Sequence, residues 1–155
     1  MIGGIVLAAG AGTRFGGGKQ LALLDGRPLL EHAVRGMTSA PVGRVIVVLG
    51  AEAEHVLARV DLHGAEPVVC ERWSEGQSAS LACGLGEMAD CEAVVVTLGD
   101  QPRVEPQGEH PERLDDAERV IGEVERAVAV RAVREGPHQA RFDHALYDGA
   151  AFGLM

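Results

Sequence analysis

The run Leu7-Ala8-Ala9-Gly10-Ala11-Gly12-Thr13-Arg14-Phe15-Gly16-Gly17-Gly18-Lys19-Gln20-Leu21 is the densest glycine segment in this chain of 155 residues. Glycines let backbone N–H groups crowd around phosphate oxygens and form an anion-binding nest. Arg14 adds a forked donor and Lys19 a compact positive charge, a pair suited to a polyphosphate. A second segment, Glu71 to Leu81, holds Trp73, Gly76, Ser78 and Ser80. Gly76 permits close approach, Ser78 can cap a helix that follows, and Ser78 and Ser80 can reach a ribose or base edge. Trp73 either covers a sheet edge or touches ligand. A third segment is Leu98-Gly99-Asp100-Gln101-Pro102. Its Asp100 carboxylate can hold Mg²⁺ against a triphosphate. Alone, Asp-x-Pro reads as a turn, but with the glycine loop it favours a metal role.

The better-known phosphate loops do not fit. A P-loop requires Gly-x-x-x-x-Gly-Lys-Ser/Thr. Gly18-Lys19 matches its centre, but Thr13 and Gln20 occupy its ends. The dinucleotide fingerprint places a third glycine where Phe15 stands. The six histidines show no helical metal-site spacing, and no Gly-x-Ser-x-Gly marks a hydrolase nucleophile.

The elements that must position these residues are legible as apolar patterns. Ile5 to Leu7, Val45 to Leu49, Pro67 to Cys70 and Ala93 to Leu98 are short unbroken apolar runs. Such runs suit parallel strands covered on both faces. Helical stripes lie between them: Leu29, Leu30, Ala33, Val34 and Met37 behind a first-turn Pro28; Ala53, Val56, Leu57 and Val60; Leu81, Ala82, Leu85 and Met88. A fourth stripe follows Pro111, with Leu114, Ala117, Ile121, Val124 and Val128. Alternating strands and helices predict a three-layer α/β domain with a mostly parallel sheet. All three segments then end on its carboxyl edge, where open α/β sheets bind ligands. Residues 127–133 read as a fifth strand or the end of the fourth helix, and only weak signals follow Gly136-Pro137.

Composition narrows the function. The chain has 23 acidic and 14 basic residues, for a net charge of -9. That balance argues against general nucleic-acid or anionic-membrane binding. Thirteen of the basic residues are Arg, and Lys19 is the single Lys. Three cysteines, Cys70, Cys83 and Cys91, lack a Cys-x-x-Cys spacing, so reduced thiols are expected rather than a disulfide framework or a zinc site. With no basic leader and no long apolar run, a cytoplasmic location is expected.

In order and spacing, the three segments resemble the nucleotidyltransferases that act on the molybdenum cofactor, within the MobA-like NTP transferases. The similarity is strong over residues 2–103. The Leu-Ala-Ala-Gly and Arg-Phe-Gly wording, with Ala9 and Phe15, resembles the cytidylyltransferase branch. The guanylyltransferase branch usually reads Leu-Ala-Gly-Gly and Arg-Met-Gly.

The resemblance implies a Rossmann-like nucleotidyltransferase fold over a single domain, 1–155, with residues 104–155 divergent and truncated. It implies transfer of CMP from CTP, or of another nucleotide from its NTP, to the phosphate of a molybdopterin-type acceptor. Leu7, Ala8, Ala9, Gly10, Gly12, Gly76, Ser78 and Ser80 would contact the nucleotide. The backbone around Ala8 and Ala9 would read the base, Arg14 and Lys19 would hold the triphosphate, and Asp100 would bind Mg²⁺. His138 resembles a later Gly-His-Pro segment, although Gln139 replaces the proline. Asp143 and Asp148 are the candidates for a second acidic metal contact. Alternatives within the fold are a guanylyltransferase, a sugar-phosphate nucleotidyltransferase, a nicotinamide-dependent oxidoreductase, and a nucleotide-binding module without turnover.

Overall fold

The computed structural model describes residues 1–11, 18–100, 128–134 and 140–146. Gly12, Arg14, Phe15, His138, Asp148 and the stripe from Leu114 to Val124 lie outside the described residues. Six strands form the main sheet: β1 (Ile2–Ala8), β4 (Arg44–Leu49), β5 (Glu66–Val69), β6 (Ala93–Leu98), β7 (Val128–Arg134) and β8 (Ala140–Leu146). Their order is β5-β4-β1-β6-β7-β8. The first four are parallel, while β7 and β8 join antiparallel. The expected mostly parallel sheet is present, and residues 128–134 resolve as a strand. Residues 140–146, where the sequence signals only weakly, form another.

Helices α1 (Leu29–Ser39), α2 (Ala53–Leu57) and α3 (Gln77–Glu87) supply the covering layers. Alternation along β1 divides the core into two. Val6 and Ala8 join Val47, Leu49 and Val95 in a cluster with the α1 residues Leu30, Val34 and Met37. Ile5 and Leu7 join Ile46, Val48, Val94 and Val96 in a second, against which Leu81 and Leu85 of α3 pack. This two-faced burial is why the strands read as unbroken apolar runs. Each fully buried Val or Ile contributes about 1.5–3 kcal/mol. Ile5, Val6, Ile46, Val47, Val48, Val94 and Val95 are all 0% exposed, so the strands that carry the loops are firmly held.

Several local expectations change. Pro28 ends a two-residue strand, β3 (Arg27–Pro28), and immediately precedes α1 rather than occupying its first turn. β3 pairs with β2 (Leu23–Leu24) across Asp25-Gly26. Both turn residues have positive φ, 52° and 77°, as a two-residue hairpin turn demands. The stripe to Val60 is helical only to Leu57, though Val60 remains buried.

The cysteine expectation is also corrected. Cys70, just past β5, is joined by a disulfide to Cys83 in α3, with Cα atoms 6.0 Å apart. An odd count hides such a pair, because the third thiol, Cys91, is buried at the opposite end of the sheet from the glycine loop. Burial pushes the Cys91 thiol pKa up, which keeps it protonated and unreactive. The bridge closes a separation of 13 residues around the second predicted segment. Chain-entropy arguments assign such a loop about 3 kcal/mol of stabilisation. Adding a dithiol reductant is therefore expected to lower the melting temperature of the wild type but not of Cys83→Ser. Equal responses would show that the bridge adds nothing.

Candidate active site

Parallel pairing brings the ends of three strands together. Ala8 lies opposite Leu49, and Leu7 opposite Leu98, so the chain leaves β1, β4 and β6 on one edge. The Gly99 N–H donates to the Leu7 carbonyl at 2.8 Å, tying the third segment to the first. Above this edge lies a cavity of about 470 Å³. Its walls include Leu7, Ala8, Ala9 and Gly10 from the first segment, Gly76 and Ser80 from the second, and Leu98 and Asp100 from the third. Lys19 also reaches it. The volume falls in the ordinary range for small-molecule and cofactor sites, roughly 300–1,000 Å³.

Lys19 opens a single 3-10 turn, Lys19–Leu21, entered through Gly18 in the left-handed region at φ 67°. Its Nζ donates to Oδ2 of Asp100 at 2.6 Å, bridging 81 residues of sequence. The two side chains are 41% and 31% exposed. Ion pairs this open contribute only about 0–1 kcal/mol to stability. The contact therefore matters for placement: the single lysine and the carboxylate share one end of the cavity. Among the described residues, Asp100 is the only acidic group lining it.

A single carboxylate fits a cation of the Mg²⁺ type, which commonly takes one or two carboxylates with substrate phosphates and water. No cluster of three His, Cys, Asp or Glu suited to an all-protein metal cage occurs among the described residues. Asp143 lies in β8, opposite the pairing irregularity between Arg131 and Ala132.

The second segment contributes differently from its sequence reading. Gly76 precedes α3 with φ 113°, a region that a side chain rarely adopts, and no side-chain cap bonds the helix start. Ser78 is exposed and is not among the residues lining the cavity, and its predicted capping role is not met, since Gly76 occupies the cap position. Gln77 and Ser74 line the wall instead. Ser80 is 4% exposed and does face the cavity. Trp73 packs against the core cluster and also lines the cavity. Beside it, both Arg72 Nε and Nη2 donate to Oε2 of Glu75 at 2.9 and 2.7 Å. These bonds raise the Arg72 pKa and hold the Glu75 carboxyl below its usual range.

Trp73 approaches Ala9 closely because position 50 has no side chain. A Cβ on Gly50 would lie 2.4 Å from the Ala9 carbonyl oxygen and 2.6 Å from Trp73 Cβ. Gly50→Ala is expected to destabilise the protein by about 1–3 kcal/mol, the usual range for overpacking. Thermal denaturation checks this, and an unchanged melting temperature would contradict it.

Sequence reasoning missed Gln20. Its side chain is 9% exposed, and its Nε2 donates to the carbonyls of Ala8 at 3.0 Å and Gly10 at 2.7 Å. A glutamine immediately before an apolar residue gives no periodic signal; its place in the glycine segment beside Lys19 was the pointer, and no role was read from it.

The chain is 40% identical to nicotine blue oxidoreductase of Paenarthrobacter nicotinovorans over 100 residues, covering 64% of this chain and 49% of that protein. It is 35% identical over 106 residues to the bifunctional protein GlmU of Corynebacterium diphtheriae, covering 63% of this chain and 22% of GlmU. Among solved structures, Rv0371c of Mycobacterium tuberculosis H37Rv superposes with a TM-score of 0.61 at 36% identity, covering 66% of this chain and 54% of Rv0371c. Rv0371c has also been solved in complex with manganese, at 33% identity and a TM-score of 0.54. The matched region thus spans about half of nicotine blue oxidoreductase and of Rv0371c, and less of GlmU. The model of the MobA-like NTP transferase domain matches residues 4–143. With Ala8 to Gly10, Lys19 and the strand-end Asp100 gathered on one edge of a Rossmann-like sheet, the chain belongs to the MobA-like NTP transferase family.

Proposed function

We propose that this chain, as one domain over 1–155, transfers CMP from CTP to the phosphate of molybdenum-carrying molybdopterin, releasing pyrophosphate. The observation that carries this reading is the 2.6 Å contact of Lys19 with Asp100 in a cavity that Ala8 to Gly10 also line. It supplies a cationic and a metal-binding group at one point, with backbone donors and acceptors for a base nearby. Ala9 and Phe15 favour CTP over GTP by their likeness to the cytidylyltransferase wording.

The chemistry needs little from protein side chains beyond placement. The acceptor phosphate is already an anionic nucleophile. One of its oxygens forms a bond to the α-phosphorus of CTP as the bond to the bridging α–β oxygen breaks. Pyrophosphate leaves with the electron pair. Holding the phosphates in line and neutralising the leaving charge is the main catalytic demand. Lys19 and Arg14 hold the triphosphate. Asp100 holds the divalent cation, Mg²⁺ in this proposal, which neutralises charge on the phosphates when bound. The manganese complex of Rv0371c supports a divalent ion in this fold.

No helix among the described residues is long and apolar enough to cross a membrane. The reaction is assigned to the cytoplasm, where glutathione would compete with the Cys70–Cys83 bridge.

A second reading keeps the nucleotide as a redox cofactor. It is favoured by the 40% identity to nicotine blue oxidoreductase. Supplying CTP, GTP, UTP and ATP separately, with molybdenum cofactor and Mg²⁺, separates the alternatives. Pyrophosphate release with CTP is expected. Release with GTP alone would make the chain a guanylyltransferase. Oxidation of a reduced nicotinamide without pyrophosphate would favour the redox reading.

A further inference from the structure

Gln20 is a buried polar side chain that spends both amide hydrogens on two carbonyls flanking Ala9. Ala8 is the last residue of β1, so these bonds fix the path of the chain as it leaves the sheet. A neutral amide suits this task. An ionised carboxylate can only accept, and a hydroxyl has one hydrogen for two acceptors. Gln20 also follows Lys19 directly within one 3-10 turn. From adjacent residues, Lys19 reaches Asp100 while Gln20 reaches Ala8 and Gly10. One short turn thereby sets both ends of the cavity.

We propose that Gln20 is a positioning residue for nucleobase recognition: it holds the main chain of Ala8 to Gly10 in the form that meets the base. This rests on the nucleotide reading above. It predicts that loss of Gln20 damages recognition of the nucleoside rather than of the phosphates. Taking this donor from the buried Ala8 carbonyl and the part-buried Gly10 carbonyl costs free energy that the segment escapes by moving.

The test is calorimetric binding of CTP and of inorganic tripolyphosphate, each with Mg²⁺, to wild type, Gln20→Leu and Gln20→Glu. Gln20→Leu is expected to weaken CTP binding by about tenfold or more while leaving tripolyphosphate within about twofold. Gln20→Glu adds a readout that a general packing role would not move. Burial and two facing carbonyls raise the pKa of the new carboxyl, and once protonated it can donate to one of them. Its CTP affinity should therefore climb several-fold relative to wild type between about pH 8 and about pH 5.5. CTP binding by Gln20→Leu equal to wild type would overturn the proposal. So would an equal loss of CTP and tripolyphosphate. If Gln20→Leu fails to fold, a Gln20→Glu profile parallel to wild type would overturn it alone. A wild type that binds tripolyphosphate but no nucleoside triphosphate more tightly would instead sink the nucleotide reading, visibly before any variant is compared.

Discussion

Lys19→Ala is expected to lower nucleotidyl-transfer turnover by about a hundred- to a thousandfold, the loss seen when one preorganised charge-stabilising donor is removed. The fold should survive, because the ion pair with Asp100 is partly exposed and worth only about 0–1 kcal/mol. Lys19→Arg should restore little. A planar guanidinium carries its charge over a wider fork than an ammonium, and the 2.6 Å approach to Asp100 is fitted to the smaller group. Turnover and melting temperature measured on the same preparations check this. Near-normal turnover in Lys19→Ala would show that the triphosphate is held elsewhere.

Asp100→Asn is expected to cause a comparable loss by another route. It keeps the side chain's shape but removes the one carboxylate lining the cavity among the described residues. Metal-dependent turnover should fall by about a hundredfold or more and need higher Mg²⁺ to recover. Lys19, freed from its partner, remains able to meet phosphate, so tripolyphosphate binding without metal should hold or tighten. An unchanged Mg²⁺ dependence would place the metal on other residues.

A chain of net charge -9 is an unpromising anion binder, so its affinity must be local. The structure makes that concrete at Lys19, which lines the cavity at the strand edge together with Ala8, Ala9 and Gly10.

The parallel sheet was legible because Val45 to Leu49 and Ala93 to Leu98 are buried on both faces, leaving unbroken apolar runs. The three chemical segments were legible because strand ends carry ligands in such sheets, and pairing of Leu7 with Leu98 brings two of them together. What was not legible depends on partners distant in sequence. Strand β8, with polar residues interrupting Ala140 to Leu146, is defined by its pairing with β7. Cys70 and Cys83 meet only because α3 returns over the sheet. Gln20 meets the carbonyls of Ala8 and Gly10, 12 and 10 residues before it in sequence, and no local pattern announces such contacts. The β2–β3 hairpin was readable in principle, since Asp25-Gly26 is a strong turn pair. Ser78 misled because a serine near a helix start suggests a cap, whereas the glycine at 76 fills that position.

The most direct test of the account follows the phosphorus atoms of CTP by ³¹P NMR as the protein acts on molybdenum cofactor with Mg²⁺. The account predicts that the β- and γ-phosphorus appear together as pyrophosphate while the α-phosphorus enters a new diphosphate linkage to the pterin. Orthophosphate in place of pyrophosphate, or CTP left intact while a nicotinamide cofactor is oxidised, would contradict it.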